Sequence, residues 1–341
     1  MNFKTAVWDL DYIRYAVGFA CEKRNILVIN RQSGDEAVYN SRTAFYGRGK
    51  AKDGGALAES NKFRDSRYTA DEFDIFDQQV AEPIDFCLHT VKQKVELVNK
   101  ILGVKDMIGY HGVGASFRLE ASTVLGYKMN RENNLKPIHI DAITEYIVKK
   151  YKSVPCSDLE ADDWCTISSI ESKDRVQVSA DKDSLGTAVY TFNPTKPELG
   201  VRDGRGFGSL WIEERTTPAG KIEKTVRGIG RMFFYQQWAS LDTVDNYRAN
   251  AASPLKWGEM SAYNALKDCK NDKEALAAVV GVYKHLYQET YRVQGWREGS
   301  ILDVDWKYMI SENFILSRML RTPDEKLKAQ DVLEKFNLWK D

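Results

Sequence analysis

The sequence predicts an α/β fold, and three observations carry that reading. Short apolar runs at Thr5–Trp8, Asp106–Tyr110 and Arg175–Ala180 read as strands. Amphipathic stretches at 83–102 and 138–151 read as helices between them. Two of the runs end in paired acids, Asp9 with Asp11 and Asp181 with Asp183, as at the carboxyl edge of an open sheet, where sites form.

Taken in order, Thr5-Ala6-Val7-Trp8 is a buried strand running into a helix that starts near Tyr12, and Ile26–Ile29 is a second strand. Residues 40–82 read as a long basic loop insertion, with Tyr46–Lys50, Asp53–Gly55, Arg42, Lys52, Lys62, Arg64 and Arg67. Pro83 opens the 83–102 helix. The Asp106–Tyr110 strand ends at His111–Gly114. In Ser157-Asp158-Leu159-Glu160-Ala161-Asp162-Asp163, Ser157 or Asp158 serves as helix N-cap, and acids in the first turn suit the helix dipole. Residues 190–225, with Pro194, Pro197 and Pro218, read as loop with a hairpin near Ser209–Ile212. A helix from about Arg231 leads into Leu241-Asp242-Thr243-Val244-Asp245-Asn246. Residues 256–268, 272–293 and most of 303–338 also read as helices.

Composition excludes several classes. The chain has 341 residues, with 49 Lys and Arg against 49 Asp and Glu, a formal net charge of zero. With 43% hydrophobic residues it is neither disordered nor a disulfide mini-protein. No stretch approaches the ~20 apolar residues of a membrane span. Asp9 and Asp11 do not fit a signal peptide. The five cysteines lack metal-ligand spacing and read as reduced thiols of a cytosolic protein. The four histidines are scattered, which disfavours a His-based zinc site or a Ser-His-Asp triad. A neutral chain would bind nucleic acid only through locally basic faces, with its acids gathered elsewhere.

Four clusters hold those acids: Asp9 with Asp11; Glu160, Asp162 and Asp163; Asp181 and Asp183; Asp242 and Asp245. Singly, Asp9 reads as a strand-end acid, Glu160–Asp163 as capping plus solvation, and Asp242 with Asp245 as a solvated helix end or turn, while Asp181 with Asp183 after a strand is more suggestive. Converged by a sheet, they would repel one another by several kcal/mol unless cations were present. Mg²⁺ or Mn²⁺ on hard oxygen ligands would relieve that repulsion.

Order and spacing together resemble the bacteriophage 5′-to-3′ exonucleases and flap endonucleases of the FEN/Rad2 superfamily. The resembling segments span about 5–268. They are Asp9-Leu10-Asp11, Ser116-Phe117-Arg118, Tyr127-Lys128-Met129-Asn130-Arg131, Lys136-Pro137, Leu159–Asp163, Ser179–Asp183, Phe233–Tyr235 and Leu241–Asn246.

The resemblance implies a PIN-like core with a central, mostly parallel sheet over 1–230. That core would carry the basic insertion (40–82) and a helical gateway (112–137), with a helical region and a divergent helix-turn-helix over 231–341. It implies two Mg²⁺ ions, replaceable by Mn²⁺. Asp9, Glu160, Asp162 and Asp163 would ligate one, with Asp181, Asp183, Asp242 and Asp245 completing the second, some through water. Lys128 and Arg131 would act over the scissile phosphate, Tyr127 would stack on a base or sugar, and Arg118 would contact a phosphate. The family's Gly-x-Gly element after Asp245 is not preserved; Gly258 and the helix after it remain. This puts duplex binding by backbone amides and the K⁺ site in question, with Arg248, Lys256 and Lys267 as substitute phosphate contacts.

The implied activity is metal-dependent hydrolysis of DNA phosphodiesters at 5′ ends, flaps or nicks, in phage replication or recombination. The expected protein is a monomer in the cytoplasm (the host's, if phage-encoded), with a replication protein as a candidate partner. Two alternatives are an RNase H-like nuclease acting on RNA–DNA hybrids and an inactive nucleic-acid-binding accessory protein.

Overall fold

The computed structural model describes residues 2–48, 54–63, 67–132, 134–217 and 220–340. In chain order its first strands are β1 (Thr5–Asp9), β2 (Glu22–Asn30), β3 (Glu36–Tyr39), β4 (Phe73–Ala81), β5 (Asp106–Gly112) and β6 (Val154–Cys156). They are followed by β7 (Arg175–Val178), β8 (Tyr190–Phe192), β9 (Val201–Asp203), β10 (Ser209–Thr216) and β11 (Ile222–Ile229).

The chain forms two compact units. One holds residues 1–12, 96–135 and 147–341; the other holds 13–95 and 136–146. The expected boundary at 230 does not separate them, because residues 231–341 belong to the unit that carries the central sheet.

That sheet has the order β6-β5-β1-β7-β8-β9, parallel except for the antiparallel edge strand β9. The fold is therefore α/β, with a mostly parallel sheet and flanking helices. Parallel strands covered on both faces need continuous apolar sequence, and Ala6, Val7 and Trp8 are each 0% exposed. The chain runs β1, β5, β6 to one side, then returns to place β7 on the other side of β1. This reversal makes the carboxyl ends of β1 and β7 a topological switch point, the usual ligand crevice of open α/β sheets.

The larger apolar core of this unit lies beyond the sheet. Trp238, Leu266, Tyr283, Ile310 and Phe314 are among its fully buried side chains. Full burial stabilises each by about 1.5–3 kcal/mol. The Arg231–Trp238, Glu259–Leu266, Asp272–Leu286 and Trp306–Ser317 helices supply them. The expected helices at 272–293 and 303–338 are interrupted. Tyr291–Gln294 and Ile301–Val304 pair as an antiparallel hairpin, and the last helix covers Ala329–Glu334 alone. The hairpin expected near 209 is the β10–β11 ribbon; Pro218 lies outside the described residues.

In the smaller unit, the 40–82 insertion is not a loop excursion. β4 pairs along its whole length with β2, which pairs with β3 on its other side. Short helices at Arg42–Tyr46 and Ala56–Asn61 cover one face of this sheet, with Phe45 and Leu57 packed on Ile26 and Val28. Of the residues expected to make this segment a basic loop, Gly49, Lys50, Lys52, Asp53 and Arg64 lie outside the described residues. Among its described residues the gateway segment holds a five-residue helix, Phe117–Ala121, and one 3₁₀ turn, Met129–Arg131. Among the described residues no helix is long and apolar enough to cross a membrane.

Candidate metal centre

β1 ends in Asp9, and β7 is followed by Ser179, so the register of two adjacent parallel strands brings these residues to one edge. The Ser179 hydroxyl donates to Asp9 Oδ2 (3.3 Å) and accepts from the Asp181 amide (3.1 Å), linking the Asp9 carboxylate to the backbone of Asp181. Asp9 Oδ1 accepts from the Asp11 amide (3.1 Å). Asp11 accepts from the Gly112 amide at the end of β5 (3.0 Å); a Cβ on Gly112 would meet Asp11 Oδ2 at 3.0 Å. Asp181 caps the Lys182–Gly186 turn by accepting from the Asp183 amide (2.9 Å), and buried Asp183 accepts from Gln237 Nε2. Asp162, in the first turn of the Ala161–Ile170 helix, accepts from the Asp163 amide (2.8 Å). The N-cap of that helix is Glu160 rather than Ser157 or Asp158.

These acids divide into two groups. Asp9, Asp162, Asp181 and Asp183 have no ion pair within 4.0 Å among the described residues. Burial, with Asp11 and Asp181 adding repulsion, pushes the Asp9 carboxyl up to about 7. Burial also holds Asp162 and Asp183 well above the usual carboxylate range, reinforced by Glu160 and Asp163 for the first and by Asp181 for the second. Cys165 is pushed up by burial, then by Asp9 and Asp162, so one thiol feels acids from two clusters.

The other group is neutralised by the chain itself. Arg118, 0% exposed, donates from Nη1 to Glu160 Oε2 and Asp163 Oδ2 (2.7 Å each) and from Nη2 to Asp163 Oδ1 (2.8 Å). Its Nη2 also donates to the Arg318 carbonyl (2.5 Å), and the Leu320 amide donates to Asp163 Oδ1 (2.9 Å). Lys128 pairs with Glu160 and lies 3.8 Å from Asp245 Oδ1. Its backbone takes a left-handed φ of 57°, held by the Lys128 amide donating to the Asp245 carbonyl (3.0 Å). Arg131 donates to Asp245 Oδ1 (2.7 Å), and Lys182 pairs with Asp242 Oδ2 (2.9 Å). Burial alone would raise Glu160 and Asp242, but their cations outweigh it and hold both below the usual range. Asp245 stays raised, because burial prevails there.

Several expected roles are corrected by this packing. Tyr127 is 3% exposed, and its hydroxyl lies 3.0 Å from both Glu160 Oε2 and Asp245 Oδ2, so its ring has no surface on which a base could stack. Arg118 is sealed behind its carboxylates and meets no incoming phosphate. Asp163 accepts from Arg118 through both oxygens, so a metal would compete with that arginine for it. Arg248 and Lys256 are exposed, and Arg248 lies on a two-residue strand opposite Leu241, beside Asp242. Sequence reasoning did not single out Ser179, Lys182 or Gln237 as site residues. Lys182 had a signal, a cation between two acids; Gln237 had none.

Glu160, Asp162 and Asp163 offer oxygens within 4.8 Å of one another. Yet Glu160 and Asp163 are engaged by Arg118 and Lys128, so Asp162 alone of the three is open. The donor set that fits Mg²⁺ or Mn²⁺ is the unpaired one, Asp9, Asp162, Asp181 and Asp183: hard oxygens that form no ion pair among the described residues. No known family model matches the chain, and no curated protein matches its sequence.

Proposed function

We propose that this chain is a metal-dependent 5′ nuclease with a PIN-like core of the FEN/Rad2 type, hydrolysing DNA phosphodiesters. One observation supports this above the others. At the switch point of a parallel sheet, one serine hydroxyl joins the Asp9 carboxylate to the backbone amide of Asp181, while among the described residues no cation forms an ion pair with either acid. Asp9, Asp162, Asp181 and Asp183 would hold the divalent ions, with Asp242 and Glu160 reaching them through water. When bound, such ions neutralise charge on a phosphodiester and make an attacking water more acidic. Ser179 fixes the orientation of Asp9. Lys128 and Arg131, about one-third exposed, are the cations suited to meet the phosphate, provided each releases its carboxylate. No Ser, Cys or His nucleophile is required.

The test is digestion of 5′-labelled duplex and flap DNA with Mg²⁺ or Mn²⁺ and with EDTA. Cleavage should need the metal. Asp181→Asn with Asp183→Asn should lower it by about a thousandfold or more, the equivalent of several kcal/mol of charge stabilisation. Wild-type rates in the double variant would refute the proposal. A labelled RNA–DNA hybrid in the same assay separates an RNase H-like preference. One observation favours a second reading, a non-catalytic nucleic-acid-binding accessory protein. Four basic side chains already offset half the acids, so the fold tolerates the cluster with fewer ions than its charge suggests. Calorimetric titration with Mn²⁺ that shows no binding would support that reading.

A further inference from the structure

Residues 119–126 join Arg118 to Tyr127 and Lys128, yet they have little regular structure of their own. The Phe117–Ala121 helix has five residues, too few to stand alone, and the carbonyls of a helix's last turn have no backbone partner within it. A hairpin far along the chain supplies the missing donors. Tyr291–Gln294 pairs with Ile301–Val304, and the loop between them carries Trp296 and Arg297. Arg297 donates from Nη1 to the Ser122 carbonyl (2.8 Å) and from Nη2 to those of Leu119 (2.9 Å) and Glu120 (3.0 Å). Trp296 donates from Nε1 to the Ser122 carbonyl (2.8 Å) and from its amide to the Thr123 carbonyl (3.2 Å). The Arg297 guanidinium lies 4.4 Å from the Trp296 ring, so the two side chains brace each other.

Glycine permits this close approach. A Cβ on Gly295 would meet the Thr123 carbonyl oxygen at 2.7 Å, and one on Gly126 would meet Trp296 Cδ2 at 3.1 Å. The Trp306–Ser317 helix adds a second hold, because Glu312 accepts from the amides of Thr123 (3.1 Å) and Val124 (3.2 Å). Few bonds then separate the hairpin from the acids. Ser122 Oγ accepts from the Tyr127 amide (3.1 Å), the Tyr127 hydroxyl donates to Glu160 and Asp245, and Lys128 pairs with Glu160.

We propose that Arg297 and Trp296 are positioning residues of the site: they hold residues 119–124 in place so that Arg118 and Lys128 meet the acids. A planar guanidinium with five donors can serve three carbonyls at once in a fixed geometry, which a lysine ammonium cannot. Without Arg297 those carbonyls turn to water, and the segment that carries Lys128 is free to shift. A misplacement on the order of 1 Å in a group that meets the reacting phosphate lowers the rate by about a hundredfold. The effect on cleavage rests on the nuclease reading; the placing of Lys128 does not.

Lysine acetylation by acetic anhydride in metal-free buffer, read by mass spectrometry, tests the placement without any cleavage. Lys128 and Lys182 are both ion-paired, with side chains 30% and 36% exposed, so Lys182 serves as the internal reference. In Arg297→Ala, Lys128 should acetylate about fivefold faster, while Lys182 stays within about twofold of its wild-type rate. Arg297→Lys should fall between. Gly295→Ala, which keeps the guanidinium but sets a methyl group against the Thr123 carbonyl, should repeat the Arg297→Ala pattern. An unchanged Lys128 rate in Arg297→Ala overturns the positioning role. So does an equal rise at both lysines, which would mark a general loosening of the fold. In Mg²⁺, Arg297→Ala should lower kcat for DNA cleavage about tenfold, with KM within about twofold of wild type. If wild type cleaves DNA and Arg297→Ala matches its kcat, this inference falls and the nuclease stands. If wild type cleaves nothing, the nuclease falls, and the acetylation of Lys128 still decides the inference.

Discussion

Asp162 and Asp163 are neighbours in sequence on the same helical turn, yet they stand in opposite electrostatic worlds. Asp163 is locked against a fully buried arginine through both oxygens. Asp162 has no such partner, and burial holds its carboxyl well above the usual range. The same contrast separates Asp242, paired with Lys182, from Asp183, whose carboxyl accepts from a neutral glutamine. A cluster of carboxylates is therefore not one object. Half of it is structural, paired with cations of the chain, and half forms no ion pair among the described residues and is pushed by burial toward the protonated form. Ligand sites belong to the second half.

The largest effect should come from breaking the structural half. Arg118→Met removes the partner of two buried or nearly buried carboxylates and should cost about 3–5 kcal/mol of folding stability, read by urea denaturation without metal. A loss below about 1 kcal/mol would mean that the two halves are not energetically distinct. Asp162→Asn should do the opposite. In metal-free buffer it should stabilise the fold on the order of 1 kcal/mol, the worth of about one pKa unit, while weakening Mn²⁺ binding about tenfold or more. Its amide oxygen can still accept from the Asp163 amide, so the helix start survives. Destabilisation by Asp162→Asn would show that Asp162 also belongs to the structural half.

The parts legible in the sequence are those written locally. Buried parallel strands need unbroken apolar runs, so β1, β5 and β7 stand out, and the acids that end β1 and follow β7 are placed by the strands themselves. Which cation answers which acid is not local. Arg118 meets Asp163 across 45 positions and the Arg318 carbonyl across 200. The family resemblance gave Arg118 and Tyr127 to a ligand, when burial gives them to Glu160, Asp163 and Asp245. The insertion was misread for a related reason. In β4, Phe73 and Ile75 face the small core, while Asp74, Phe76 and Gln78 fall on the other face, so its period-2 pattern is blurred by charge and glutamine. Only the ladder with β2 makes it a strand.

The subtlest signal is a slope, and it separates the two halves by pH. Asp9 titrates near 7 in the fold, against an ordinary value of 3.8. Between those values the folded state holds a proton that the unfolded chain has released. Stability in EDTA should therefore fall as pH rises from about 4 to 7, by at most about 1.4 kcal/mol per unit from this group. Glu160 and Asp242 carry the opposite sign. Their folded values lie below the ordinary ones, so their contribution is present above about 4.5 and is lost as pH drops further. Thermal midpoints followed from pH 3 to 8 should accordingly rise, pass a maximum in the mildly acidic range, and decline toward neutrality. Asp9→Asn should make the decline shallower, with Asp162 and Asp183 carrying the rest, and leave the acid limb unchanged, and saturating Mg²⁺ should flatten it, because an ion favours the ionised carboxylates that the bare fold disfavours. If Mg²⁺ leaves the neutral limb of wild type untouched, the unpaired acids are not its ligands, and the distinction between the halves loses its functional meaning.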